Sequence, residues 1–234
     1  SRGLKFYESN LERNVSFKYL VLNHLGNLHR LINNTDYAIE YYKKSIELND
    51  TFSIPYSNLG ASYFEKGNYD RAEKYFLKSI KINPNESSTY YNYGNLKNSQ
   101  KYFKESKEFY LKALEVNPDF YDAFYALVRN KEIKKDDPLF QRYLKIYQNQ
   151  YLDNESKSTL GYAFGEFYEN IKQYDKAFKF YQEANNFFRK NINYNIADSQ
   201  IFFEKIKELS KPSKIENVIS KNKEISPIFI IGLP

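Results

Sequence analysis

Cysteine, methionine and tryptophan are absent from this 234-residue chain, and histidine occurs only at His24 and His29. The missing cysteine excludes a disulfide framework, a thiolate-bound zinc and a thiol nucleophile. No apolar run approaches the roughly 20 residues that a bilayer span requires, and the first residues lack the apolar core of a secretory signal. A soluble, cytoplasmic protein without a membrane partner is expected. The natural start is missing along with methionine, and Ser1-Arg2-Gly3 reads as a cut end, so the chain is expected to be a fragment.

Charge is balanced as well as modest. The formal net charge is +6, but lysines alternate with carboxylates, as in EKYFLKSIKI and KESKEFYLKALE, which describes solvated helix faces. A nucleic-acid binder concentrates its charge in a stripe and adds a reading motif, so no nucleic-acid partner is expected. Asn-x-Ser/Thr triplets such as Asn33 to Thr35 and Asn85 to Ser87 arise by chance in an asparagine-rich chain. What the chain does have is rings: 24 tyrosines and 19 phenylalanines. These must fill the interior.

Gly26, Gly60 and Gly94 stand 34 residues apart inside matching frames, NHLGNLHR, SNLGASYF and YNYGNLKN. The same interval relates Ala38, Ala72 and Ser106, then Ser45, Ser79 and Ala113, then Pro84 and Pro118. Small residues at fixed slots let two helices cross closely, while larger ones such as Leu59, Tyr63, Tyr69, Phe76, Tyr93, Phe103 and Tyr110 fill the spaces between crossings. Pro84 and Pro118 end second helices; Asp36, Asp70 and Asp175 stand where second helices begin and are expected to cap them.

This period and pattern resemble the tetratricopeptide repeat, a pair of antiparallel helices. The resemblance implies an all-α, right-handed α-solenoid, a superhelix of helix hairpins. Units are placed at 19–52, 53–86, 87–120, 121–154 and 158–191, with a truncated unit at 1–17, so the array runs 1–191. The unit at 121–154 is degenerate: Val128, Phe140 and Tyr147 occupy its small slots, and its two helices are expected to pack at a wider angle. Asp137-Pro138 marks a capped start for its second helix. The unit at 158–191 restores the pattern through Gly165, Tyr168, Tyr174, Ala177, Tyr181 and Ala184.

Stacked units form a concave groove lined by their first helices. The candidates there are Asn23, Asn27 and Arg30; Ser57 and Phe64; Tyr91, Asn95 and Asn98; Tyr125 and Arg129; and Tyr162, Glu166 and Glu169. Amides beside phenols suit an extended peptide or protein partner, bonding its backbone and stacking on its side chains; an unliganded, wetted surface is the alternative. Tetratricopeptide modules that grip a chaperone's C-terminal carboxylate place lysine where this chain has Asn23, Ser57, Tyr91, Tyr125 and Tyr162, so that partner is not expected. His29 fills a core slot, and His24 lies in the groove or on the surface.

Residues 192–225 read as a capping helix, with Ile196, Ile201, Phe202, Ile206 and Leu209 at helical spacing, and a basic linker broken at Pro212. The ending, 226–234, is SPIFIIGLP. Four consecutive apolar residues bounded by Pro227 and Gly232 suit a short strand buried on both faces. A last repeat of the form FxxGxxYxxxxxYDxAFxxYxxAN, a basic linker and PIFIxGxP together resemble the N-terminal half of bacterial-type tetratricopeptide sulfotransferases. In that family the motif continues R-S-G-T-T and holds the phosphosulfate of 3′-phosphoadenosine 5′-phosphosulfate (PAPS). The resemblance implies that Gly232, Leu233 and Pro234 begin this loop, that PAPS serves the parent chain, and that this segment itself binds no cofactor. No catalytic residue is found in 1–225: there is no GxSxG elbow, no His–carboxylate metal motif and no complete phosphate loop. A free-standing adaptor is the other reading, with a glycosyltransferase fusion a third.

Overall fold

The structure, a computed structural model, describes residues 17–191. The partial unit at 1–17 (apart from its last residue), the capping helix, the linker, the apolar strand and Gly232, Leu233 and Pro234 lie outside the described residues. The chain divides into two compact units, 1–189 and 190–234. Ten α-helices and no strand make up the described residues: α1 (Lys18–Leu31), α2 (Thr35–Leu48), α3 (Ile54–Glu65), α4 (Tyr69–Ile82), α5 (Ser87–Ser99), α6 (Phe103–Val116), α7 (Tyr121–Arg129), α8 (Pro138–Tyr147), α9 (Asn154–Asn170) and α10 (Tyr174–Asn191). They form a solenoid of hairpins in which each of the first three second helices also packs on the next first helix.

The glycine slot works as a notch for a ring. A methyl group at Gly60 would lie 2.6 Å from the ring of Phe76, one at Gly94 2.6 Å from Tyr110, and one at Gly165 2.5 Å from Tyr181; Gly26 faces Tyr42 in the same way. Phe76, Tyr42 and Tyr110 are fully buried. In these four hairpins the ring of the second helix thus sits directly on the backbone of the first, which is why the slot takes no side chain.

The third small slot also bonds. Ser45 and Ser79 are fully buried, and their hydroxyls donate to the Tyr19 carbonyl at 2.6 Å and the Ser53 carbonyl at 3.0 Å. Each thereby satisfies an acceptor in the segment that opens the hairpin's first helix.

Turn chemistry repeats with the hairpins. Within hairpins, Asn33, Gly67, Lys101, Lys131 and Lys172 adopt positive φ, and only Gly67 does so without steric cost. Between hairpins, the side-chain carbonyls of Asn49, Asn83, Asn117 and Asn149 accept the backbone N–H two residues on, at 3.0–3.1 Å. These Asx turns account for an asparagine at one recurring position between hairpins. Asn68, not Asp70, caps α4, accepting from the Arg71 N–H at 3.2 Å; Asp36, Asp70 and Asp175 lie in first turns instead, where a carboxylate meets the positive end of the helix dipole. Asp137 caps α8 through the Leu139 N–H at 2.8 Å, with Pro138 in the first turn. Tyr69 and Phe103, expected between crossings, are 40% and 54% exposed.

The fourth hairpin departs from the others. In the first three, the paired helices run in close backbone contact, whereas α7 and α8 bring few Cα atoms within 8 Å, and α7 packs instead along α9. Phe140, in a slot that is small elsewhere, is buried against Phe164 and Phe167 at ring-centre distances of 5.3 and 4.3 Å. Tyr143 fills the gap to α7, 4.4 Å from Phe124. Three large residues in the crossing slots hold the helices apart, and rings occupy the space.

Candidate functional site

The first helices α1, α3, α5, α7 and α9 carry every predicted groove residue, and polar contacts join several of them across helices. Asn58 Nδ2 donates to Asn23 Oδ1 at 2.9 Å and to Asn27 Oδ1 at 3.1 Å. Arg30 pairs with Glu65 at 3.1 Å. Asn130 Nδ2 donates to Asn98 Oδ1 at 2.9 Å, and the Tyr125 hydroxyl to Glu166 at 3.3 Å. Asn58, Glu65 and Asn130 are not among the sequence candidates; Asn58 and Glu65 are polar residues of a largely apolar first helix, and Asn130 is the residue that ends α7.

Access differs among the candidates. Asn23 and Ser57 are buried, 4% and 3% exposed. Arg129 and Glu169 are exposed; Asn27, Arg30, Phe64, Tyr91, Asn95, Asn98, Tyr125, Tyr162 and Glu166 are half-buried. Asn27 and Asn95 are partly committed to the fold, since each accepts a hydrogen bond at 2.8 Å from the notch tyrosine behind it, Tyr42 and Tyr110. The second hairpin has Phe76 in the ring slot and Ala61 in place of the asparagine, an apolar pair where its neighbours have a bonded one.

The phenols cluster towards the C-terminal half. Tyr91 lies edge-on to Phe120 at 5.4 Å, and Tyr162 donates to Asn185 at 2.7 Å. Tyr181 donates to Glu169 at 2.7 Å. Burial, then the neighbouring Glu166, raises the Tyr125 phenol above its ordinary range; burial, then the bond to Glu169, does the same for Tyr181. The upward shifts favour the protonated form, the donor in the bonds these phenols make to Glu166 and Glu169. Among the described residues no group of three or more acidic or histidine side chains could hold a metal, and no helix is long and apolar enough to cross a membrane. His29 is half-buried and stacks on Tyr37 and Tyr41 at 5.3 and 5.1 Å, a packing role; His24 is exposed.

Antiparallel hairpins with ring-in-notch contacts, stacked in series, define an α-solenoid of short helical repeats. Family models for the tetratricopeptide repeat match residues 54–86 and residues 19–52, 87–120 and 162–191, together more than half of the chain. The chain belongs to the tetratricopeptide-repeat family. An uncharacterised protein of Aquifex aeolicus (strain VF5) is 28% identical over 113 residues, covering 48% of this chain and 15% of that protein. Solved structures of similar fold include MamA, with 21% identity, 82% of this chain and 90% of that one covered, and a TM-score of 0.45. The Arabidopsis OM64 TPR domain shares 23% identity, with 51% of this chain and 98% of that one covered and a TM-score of 0.48. The first TPR of Spaghetti (RPAP3), bound to the HSP90 peptide SRMEEVD, shares 23%, with 49% and 94% covered and a TM-score of 0.47.

Proposed function

We propose that the array is a protein-interaction scaffold that holds an extended polypeptide against its first helices. The observation that carries this reading is the alignment of Tyr91, Tyr125 and Tyr162 at one repeat slot of three successive units, each half-buried and flanked by amides or carboxylates. Aromatic faces take apolar side chains, while the amides and carboxylates bond a peptide backbone. A chaperone C-terminal carboxylate is a poor fit, because none of the five slots where such modules place lysine carries one.

Selection of random peptides on the chain tests the proposal. Enriched peptides are expected to lose about tenfold or more in affinity to Tyr91→Ala/Tyr125→Ala. Equal binding to that variant and to the unaltered chain would place recognition elsewhere.

The narrower reading is that the array presents an acceptor to a PAPS-dependent sulfotransferase domain. It is supported by the ending SPIFIIGLP, where Gly232, Leu233 and Pro234 would open the phosphosulfate loop. On this reading the residues after Pro234 continue as R-S-G-T-T or a close variant, and sequencing onward decides it. The segment alone is then expected to show no calorimetric binding of 3′-phosphoadenosine 5′-phosphate; micromolar binding would contradict this. If R-S-G-T-T is absent, the sulfotransferase reading falls, and a free-standing adaptor without catalysis takes precedence over fusion to another transferase.

A further inference from the structure

A second surface, on the side of the second helices, is built differently. An open cleft of about 1030 Å³ runs between α2 and α4. Its apolar part includes Ile46, Tyr56, Leu59 and Leu77, and Leu77 is 50% exposed. Along the rim stand Lys43, Lys74, Lys78 and Lys81. Lys43, Lys74 and Lys81 have no ion-pair partner among the described residues, and Lys78 lies 5.8 Å over the Tyr56 ring. Of the lining carboxylates, Glu73 is already engaged, accepting from Tyr93 at 2.6 Å and Lys97 at 2.8 Å. Among the other lining residues, Glu47 and Asp70 are the carboxylates that oppose the lysines; Asp50 lies close enough to act on Tyr56.

The repeat explains why the cleft opens here. One unit on, Tyr93 takes the place of Leu59. Its ring lies 4.2 Å from Phe109 and 5.9 Å from Phe76, filling the corresponding space between α4 and α6. A leucine in that slot leaves the volume empty.

We propose that the α2–α4 cleft docks an amphipathic helix of a partner protein whose apolar stripe is flanked by acidic side chains. The flanking helices are 14 residues each, about 21 Å at 1.5 Å per residue, so a docked helix of about four turns would be matched along its length. The sign of the rim disfavours occupants of like charge. Residues 211–224 carry Lys211, Lys214, Lys221 and Lys223 against Glu216 and Glu224, and a second copy brings a net +6. A docked helix with apolar anchors and acidic flanks satisfies both the floor and the rim.

Two labelled helical peptides with the same leucine stripe, one flanked by glutamates and one by lysines, test this on the full chain by fluorescence anisotropy. The glutamate peptide is expected to bind about tenfold or more tightly than the lysine peptide, and less tightly as salt rises. Leu77→Glu should remove that binding without altering the melting temperature, because the side chain is half exposed. Lys74→Glu/Lys78→Glu/Lys81→Glu should reverse the preference, and Tyr91→Ala should leave it intact, which separates this surface from the first-helix face. Equal binding of both peptides, absence of saturable binding, or unchanged binding to Leu77→Glu overturns the proposal. So does displacement of the peptide by anionic vesicles that lose the chain on the same substitution, which would make the cleft a lipid-facing surface.

Discussion

The first three hairpins and the fourth solve one packing problem in opposite ways. In the first three, a glycine on one helix receives a ring from the other, and the backbones close up. In the fourth, Val128, Phe140 and Tyr147 stand where glycine, alanine or serine stand elsewhere, so α8 is held off and α7 finds α9 instead. Burial is as complete in both regions: Phe140 and Tyr143 are as inaccessible as Phe76 and Tyr110. Small slots therefore do not create the core; they set the spacing between helices. That spacing in turn places Tyr91 and Asn95 on the face assigned to a partner, and places Tyr125 and Tyr162 on the pair of first helices that the fourth hairpin brings together.

Alkali attacks both regions at once and should have the largest effect. Burial raises the Tyr42 phenol to about 12, and burial with the nearby Asp119 raises Tyr121 to about 12. Unfolded phenols titrate near 10, so between pH 10 and 12 the unfolded state holds fewer protons and stability falls as pH rises. Circular dichroism should be lost as tyrosinate absorbance grows. Tyrosinate absorbance reaching the full amplitude of all 24 phenols near pH 10 with the helical circular dichroism intact would contradict the burial described here. Hydrogen exchange during the titration would show whether the notched or the ring-filled region opens first.

Phe140→Ala sharpens the contrast. It restores a small residue to the slot, yet it removes a ring packed on Phe164 and Phe167 and should cost about 3–5 kcal/mol in urea unfolding. A neutral result would mean that α8 can close onto α7. Next in size is Asn95→Ala, which deprives the buried Tyr110 hydroxyl of its acceptor and should cost about 1–2 kcal/mol. Adding Tyr110→Phe should recover much of the loss, because the pair then matches Phe76 and Ala61 of the second hairpin. The smallest effects are at the turns. Gly67→Ala forces a side chain into positive φ and should cost about 1 kcal/mol, and Lys101→Gly should gain somewhat less. A gain for Gly67→Ala or a loss for Lys101→Gly in thermal melts would refute the turn geometry.

The slots themselves were legible in the sequence, because an interval of 34 residues is visible without knowing what touches what. The crowding in the fourth unit was legible for the same reason. Bonding was not. Ser45 and Ser79 read only as small, although their hydroxyls secure the start of the preceding helix, and Asp70 stood nearer the expected helix start than Asn68, which caps it. That the groove candidates share the first helices was legible, but their access was not: whether Asn23 or Tyr91 meets solvent depends on how near the next first helix comes. The cleft beside Leu77 could not be read at all, since it depends on a leucine in one unit having a tyrosine as its counterpart in the next.

Urea unfolding of Gly60→Ala tests the notch most directly, because its sign decides. Alanine in an ordinary helix gains about 1 kcal/mol over glycine. Here the added methyl would meet the buried Phe76 ring at 2.6 Å, so a net loss of about 1–3 kcal/mol is expected, with Phe76→Leu in the same chain relieving at least about 1 kcal/mol of it. A Gly60→Ala chain more stable than the original would show that no ring occupies the notch.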